Sequence, residues 1–463
     1  MGQQTSDQIQ KRVTWSSERV FLFAVIGGAV GVGNLWRFPY LVGENGGGTF
    51  ICVYIISIIA LSLPLKMAEV ALGKAGRASP VLSFRNIAKE AGGSKSWSFV
   101  GWSMSFSMFL LLSFYAVIGG WSLKYAILSF SGELVAIDKV GASSVFNTIN
   151  DDPFTLGMWH LIFLVITTFI VSRGIKSGLE KAFKKLVPAL LIILIALVIW
   201  AAITADFRSA VNFLFHFDSS KLSWTMVLEA VGQAFFSLGV GAGIFMAYGS
   251  YVPPGTSVPK TMLITGIMDT FVALIAGLAI FPFVFAYGLS VAQGPGLFFL
   301  TLPLAFGAMP YGSMVGFMFF TLIFIAALSS SIGMLEVSIS RFKEIWPNAR
   351  GRIACFVGIL CWMIGVTSVL SFSVLKGVEP LGFINLFSGM NIFETFNYFL
   401  GNIVGPVNGL LIAIFCGWIL KAEKAKEILD FKSSLHAKIW LMLVKYLVPI
   451  TLFLVIIGII IQT

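Results

Sequence analysis

Apolar stretches of about 20 residues recur from position 20 onward, separated by short polar segments. That is the length of helix needed to cross the hydrocarbon of a bilayer, where each backbone amide must find its partner inside the segment. A closed barrel would alternate apolar with polar residues, and these stretches do not. Eleven spans are read, at 20–43, 48–73, 97–130, 157–172, 186–204, 226–251, 261–288, 312–340, 353–375, 394–420 and 439–461. Hydrophobic residues fill 57% of the 463 positions and charged ones only 11%, too little polar surface to cover a soluble globule. The expected class is all-α: a polytopic membrane protein of 11 transmembrane helices. The polar segment 1–19 leads into a first span longer than a signal-peptide core and without a small-residue cleavage site, so that span is expected to be retained.

A net charge of +10 would suit nucleic acid, but its placement points elsewhere. With the loops assigned alternately to two sides, 23 Lys and Arg fall on the side of segment 1–19 and four (Lys139, Arg208, Lys221, Lys376) on the other. That bias expects a cytoplasmic N-terminus, and the odd span count then puts the C-terminus outside. The basic loops can touch anionic membrane lipid, and no nucleic-acid partner is expected. Cys52, Cys355, Cys361 and Cys416 lie within apolar stretches without metal or disulfide spacing, as small packed hydrophobes do. His160, His216 and His436 form no catalytic grouping, so enzyme chemistry is not expected.

Helix 1 holds four glycines in seven residues, Gly27-Gly28-Ala29-Val30-Gly31-Val32-Gly33, followed by Asn34. Five spans later, helix 6 holds Gly239-Val240-Gly241-Ala242-Gly243 after Phe236 and Ser237. Two glycine-interrupted spans in matching places of two five-helix halves predict an inverted-repeat transporter with its site at the bilayer midplane. Close helix packing through small residues is the competing use of the same glycines. Broken helices expose carbonyls that can ligate a hard cation and amides that can hold a carboxylate. Side-chain oxygens to complete such sites come from Asn34, Ser237, Asp269 and the triplet Ser329-Ser330-Ser331. An intramembrane carboxylate such as Asp269 is costly and marks function by default, whereas serines also bond to their own helix backbone. Glu69 in helix 2 is either protonated or bonded to amides freed by a broken helix. Lys66 is expected to snorkel to the cytoplasmic face as a flank.

The run Gly27 to Asn34, continued by Leu35-Trp36-Arg37-Phe38-Pro39 and Glu44-Asn45-Gly46-Gly47-Gly48, resembles helix 1 and its following loop in the neurotransmitter:sodium symporter family. Gly232-Gln233-Ala234-Phe235-Phe236-Ser237 is similar to the family's helix 6, Ser113-Phe114-Tyr115 with Trp121 to helix 3, and Ala326 to Ser331 to helix 8. The likeness runs through helix 11 and is to the bacterial 11-helix subgroup, which includes tyrosine and multi-substrate hydrophobic amino-acid transporters. It implies a leucine-transporter-like 5+5 inverted repeat with unwound helices 1 and 6. Segment 1–19 would be cytoplasmic, 20–204 the first repeat, 226–420 the second, and 439–461 helix 11.

The resemblance also implies two sodium ions as cofactors. The first would take the Ala29 carbonyl, the side chains of Asn34 and Asp269, Ser237, and the substrate's carboxylate. The second would take the carbonyls of Gly27, Val30 and Ala326 with the hydroxyls of Ser329 and Ser330. Substrate would meet Ala29, Gly31, Val32, Gly33, Leu111, Tyr115, Phe236, Ser237, Gly239, Ala242, Gly243, Ser331 and Met334, with Tyr115 donating to its carboxylate; read alone, Tyr115 would be a packing aromatic. Gly31 stands where amine carriers place an aspartate, favouring a zwitterion. Asp269 and Ala273 stand where chloride-dependent relatives have asparagine and serine, so chloride independence is expected. Small Gly239 and Ala242 leave room for large hydrophobic or aromatic L-amino acids. The outer gate would be Arg37 with Phe236, but the family's acidic partner falls at Asn397, with Glu394 one turn earlier as substitute. The inner gate would be Arg12, Trp15 and Glu344 with Tyr251, while Glu69 and Gln233 would be supporting residues. Gly178 and Pro188 match a motif for local unwinding of helix 5, although a loop glycine and a first-turn proline look the same. The expected activity is sodium-coupled amino-acid import by alternating access in a bacterial inner membrane. Its competitors are a non-transporting amino-acid receptor and a symporter of another small zwitterion.

Overall fold

The computed structural model describes residues 13–289, 297–431 and 433–461, and among them every regular element is a helix. Nine helices among the described residues are long and apolar enough to cross a bilayer. A tenth span is a bent pair, Glu18–Ala29 and Gly33–Glu44, meeting at 50°. The expected span 226–251 is present as Trp224–Ser237 and Ile244–Gly249, each too short to cross alone. A count of eleven therefore depends on treating both interrupted pairs as single spans. With that numbering, helix 1 is the bent pair, helix 2 Gly48–Gly76, helix 3 Lys95–Phe130, helix 4 Pro153–Ser172 and helix 5 Ile175–Thr204. Helix 6 is the second broken pair, helix 7 Val258–Ala286, helix 8 Gly312–Ile345, helix 9 Pro347–Leu370, helix 10 Ile392–Ile419 and helix 11 Ser434–Gly458.

Polar residues set where these helices start. Ser17 caps helix 1 by accepting from the Val20 amide, and Asp152 with Pro153 opens helix 4. Hydrogen bonds from Thr155 and Phe154 hold the Asp152 carboxyl below its ordinary range. Helix 5 begins at Ile175 rather than 186, because the lysine-rich stretch 175–185 is also helical. Pro188 lies inside that continuous helix, and a side chain on Gly178 would meet the Ile170 carbonyl at 2.0 Å. The pair Gly178 and Pro188 thus sits in wound, packed helix in this structure.

Helices 3 and 8 pack along each other at the centre, with 72% and 78% of their apolar windows buried. Helices 4 and 9 lie against helix 3, the first half of helix 1 against helix 5, and the inner half of helix 6 against helix 2. Helix 11, only 22% buried, is peripheral. Lipid is as apolar as leucine, so close approach rather than water exclusion holds such a bundle. A methyl on Gly119 of helix 3 would sit 2.4 Å from the Phe163 ring of helix 4, which shows how tightly these backbones meet. The two broken helices run through this frame, beside helices 2, 3, 7 and 8.

Candidate functional site

In helix 1 the α-helix stops at Ala29, and Val30 turns extended (φ −71°, ψ 100°). The chain resumes as a wide turn, Gly33–Arg37, before Phe38–Glu44. In helix 6 the break spans 238–243 and uses Gly239, Gly241 and Gly243 at φ +58°, +80° and +74°, a region that L side chains avoid. Both breaks fall where the glycine runs predict. The competing packing use also holds, since a methyl on Gly31 would meet Ser330 Oγ at 2.5 Å and one on Gly33 the Phe236 ring at 2.7 Å.

Between the breaks lies a cluster of oxygen atoms. Asn34 Nδ2 donates to Asp269 Oδ1 at 2.8 Å and to Ser237 Oγ at 2.9 Å, and Ser237 Oγ donates to Asp269 Oδ2 at 2.6 Å. Tyr54 of helix 2, which has no part in the sequence-based expectation, joins them with its hydroxyl 3.1 Å from Ser237 Oγ and 3.3 Å from Asp269 Oδ2. Asn34 and Asp269 are 0% exposed. Among the described residues no basic side chain pairs with Asp269 at salt-bridge distance. A fully buried carboxylate is costly without a counter-charge, and hydroxyl, amide and carboxylate oxygens suit a small hard cation. No group of three His, Cys, Asp or Glu fit for a transition metal occurs among the described residues. Ala29 ends the first half of helix 1, where the last carbonyls lack an i+4 amide. Gln233 reaches the Gly33 carbonyl at 3.4 Å, linking the broken helices.

A second oxygen group lies where helix 1 meets helix 8. Ser329 Oγ is 2.9 Å from the Ala326 carbonyl and 3.5 Å from that of Val30. Gly27, Val30 and Ser329 line one narrow crevice with Val187 and Leu190 of helix 5. These residues also fit a hard monovalent cation, pairing carbonyls at the break by Val30 with the Ser329 hydroxyl and the Ala326 carbonyl of helix 8. Ser330 faces Gly31 instead, with Tyr115 OH 3.8 Å from the position of a Gly31 methyl. Ser331 turns away, bonding to Thr167 of helix 4 at 2.9 Å. Leu111 and Tyr115 are half-buried, Val32, Ala242 and Met334 buried, and Phe236 is 37% exposed.

Lys66 does not snorkel. Its side chain is 1% exposed, its Nζ donates to the Gly239 carbonyl at 3.0 Å, and it stands 3.2 Å above the centre of the Phe245 ring. Pro64, two residues earlier, follows a wide turn at Ile58–Ser62 that alters which face the next residues present. Glu69 Oε1 accepts from the Gly241 amide at 2.6 Å, the second of the two roles open to it in the sequence. Asn408 of helix 10 donates to the Gly241 carbonyl at 3.2 Å, so side chains from helices 2 and 10 hold the break in helix 6.

The gates are unequal. The Arg37 guanidinium lies 4.6 Å over the Phe236 ring. Glu394 is instead half of a capping box with Asn391 at the start of helix 10, and Asn397 is exposed. On the side of the basic loops, Trp15 is 1% exposed. Its amide bonds to the Tyr251 carbonyl at 2.9 Å and its indole to the Tyr248 carbonyl at 3.1 Å. Arg12 lies outside the described residues, while Glu344 accepts from Ser79 Oγ and N at 2.6 Å each. Two unanticipated carboxylates reinforce this seal. Glu180 accepts two 2.8 Å bonds from Ser16, and buried Glu336 of helix 8 gathers Lys343, Arg350 and the Tyr251 hydroxyl. These contacts cover the basic side of the broken helices, while Phe236 on the other side is 37% exposed.

Comparison with known proteins finds similarity along almost the whole chain. A sequence profile described as the Sodium:neurotransmitter symporter family covers residues 12–148 and 143–463. An uncharacterized sodium-dependent transporter of Haemophilus influenzae is 33% identical, covering 97% of this chain and 98% of its own. The uncharacterized sodium-dependent transporter YhdH of Bacillus subtilis is 31% identical with the same coverage. The crystal structure of MhsT in complex with L-phenylalanine matches with a TM-score of 0.87 and 36% identity, over 97% of this chain and 100% of that one.

Proposed function

The chain belongs to the sodium:neurotransmitter symporter family, a family of sodium-coupled transporters rather than enzymes, and we propose that it imports large hydrophobic or aromatic L-amino acids with two sodium ions and without chloride. The observation that carries this reading is the Asn34, Ser237, Tyr54 and Asp269 cluster between the two broken helices. Asp269 supplies a fixed negative charge beside the first ion, where an anion would otherwise be needed. The absence of a side chain at Gly31, against Ser330 and near Tyr115, leaves the substrate to bring its own carboxylate. The similarity to MhsT, solved with L-phenylalanine, supports an aromatic amino acid as cargo.

Coupling needs no covalent chemistry. An ion held by Asn34, Ser237 and Asp269 and touched by the substrate carboxylate raises substrate affinity, and substrate raises ion affinity by the same factor. The second group, around Val30, Ala326 and Ser329, ties helix 1 to helix 8 when occupied. Helices 1–5 and 6–10 are the two repeats, and the bundle that holds the broken helices rocks to expose this centre inward, in a bacterial inner membrane with the basic side cytoplasmic.

The test is uptake of labelled L-phenylalanine, L-tyrosine, L-tryptophan and L-leucine into proteoliposomes under an inward sodium gradient. Accumulation above the equilibrium level that vanishes when choline replaces sodium is expected. Binding without accumulation would make the protein a receptor, and accumulation of none of the four would move the reading to another small zwitterion. Uptake that collapses when gluconate replaces chloride at constant sodium would overturn the chloride assignment.

A further inference from the structure

We propose that Lys66 is a tethered cation, filling with the protein's own ammonium a third cation position at the break of helix 6, and that its charge compensates Glu69 so that Asp269 is left as the single uncompensated carboxylate of the core. The inference rests on the transporter reading above and adds a positioning residue to it.

Carbonyls within a helix break are the kind of oxygen that takes a coupling ion in broken-helix transporters. Lys66 Nζ donates at 3.0 Å to one carbonyl in the break of helix 6, Gly239 O, which also accepts from the Ala242 amide at 3.3 Å, and the Phe245 ring lies 3.2 Å beneath the ammonium with Glu69 Oε2 at 3.9 Å. Glu69 Oε1 is held by the Gly241 amide at 2.6 Å, while Oε2 has no hydrogen-bond partner. Lysine and glutamate therefore clasp the two sides of one break, on its carbonyl at 239 and its amide at 241. Burial of both side chains, 1% and 0% exposed, makes their mutual compensation obligatory.

Among the described residues no other cation lies within salt-bridge distance of Glu69. The Cys416 thiol of helix 10 and the Gly241 amide face it, Asn408 bonds to the Gly241 carbonyl, and Asp269 of helix 7 is the remaining charged group near Lys66. Two carboxylates and one ammonium leave one negative charge for the ion at Asp269. Without Lys66, Glu69 must take up a proton to remain in place, so transport should survive at low pH and fail as pH rises.

Sodium-driven uptake and thermal unfolding are measured from about pH 5.5 to about pH 8.5, where an uncompensated buried carboxyl can exchange its proton. The proteins are wild type, Lys66→Arg, Lys66→Met and the double variant Lys66→Met with Glu69→Gln. Lys66→Arg is expected to follow the wild-type profile. Lys66→Met should lose about tenfold more uptake than wild type between the lower and upper ends, together with thermal stability. The double variant should return to the wild-type profile and melt above Lys66→Met at the upper end. A Lys66→Met profile parallel to wild type, or a double variant as impaired as the single one at high pH, would overturn the proposal. Absence of sodium-driven uptake in wild type would defeat the transporter reading instead, and the unfolding profiles would still decide the charge compensation.

Discussion

Asn34 and Asp269 stand 235 positions apart in the chain, yet the amide of one donates to the carboxylate of the other at 2.8 Å, fully buried between two broken helices. In the proposed mechanism this bond fixes both the place and the sign of the charge that an entering cation would meet. Asp269→Asn keeps the shape and removes the charge. Half-saturating sodium should rise at least about tenfold, as losing a charged partner does, and uptake should become stimulated by chloride. Sodium titrations in chloride and in gluconate check it, and unchanged curves would remove Asp269 from the ion site.

Tyr54 tests whether the ring of donors around that carboxylate matters. Tyr54→Phe deletes a hydroxyl shared between Ser237 and Asp269 at 3.1 and 3.3 Å. The cost of one hydrogen bond, about 1 kcal/mol, corresponds to a rise of about fivefold in half-saturating sodium, with the maximal rate nearly kept. A change in maximal rate alone would make Tyr54 a packing residue.

Gly239 and Gly241 should differ sharply on substitution by alanine. Both have positive φ, but a methyl at 239 meets nothing nearer than Lys66 Nζ at 4.0 Å, whereas one at 241 would strike the Gly405 carbonyl at 2.5 Å and the Gly409 amide at 3.0 Å. Gly239→Ala should cost about 1–2 kcal/mol of backbone strain and yield a folded, weakened carrier. Gly241→Ala should fail to give a monodisperse protein on size-exclusion chromatography. Equal behaviour of the two would contradict the close approach of helix 10 to the break.

Glu394 should prove to be a cap and not a gate. Glu394→Ala removes half of the Asn391 capping box, worth about 1 kcal/mol, and should lower Tm slightly. The substrate concentration at half-maximal uptake should not move. A large shift in that concentration would return Glu394 to the gate beside Arg37.

These cases show what was legible in the residues alone. The breaks could be read because glycine is dense within spans otherwise long enough to cross, and Asp269 because a carboxylate in an apolar stretch needs a reason. Tyr54 gave no such signal, since a tyrosine in an apolar span looks like any packing aromatic. Lys66 was misplaced because position along the helix suggested an end, while the turn before Pro64 and the opening in helix 6 gave its ammonium an interior partner. The role of Glu394 was readable locally, as Asn391 and Glu394 have capping-box spacing. Glu336 lay in plain view within helix 8, but its meaning comes from Lys343, Arg350 and Tyr251, the last of these from a distant part of the chain.

The closure built from Trp15, Glu180 and Glu336 also bears on speed. In the proposed mechanism an idle carrier with this seal intact would dissipate no sodium gradient, and the same contacts would separate once in every productive turnover. If their opening is the slowest step, each 1.4 kcal/mol added to the seal would slow the pump about tenfold. Leak-tightness and throughput would then be set against each other by the same few side chains, far from the atoms that recognise the cargo.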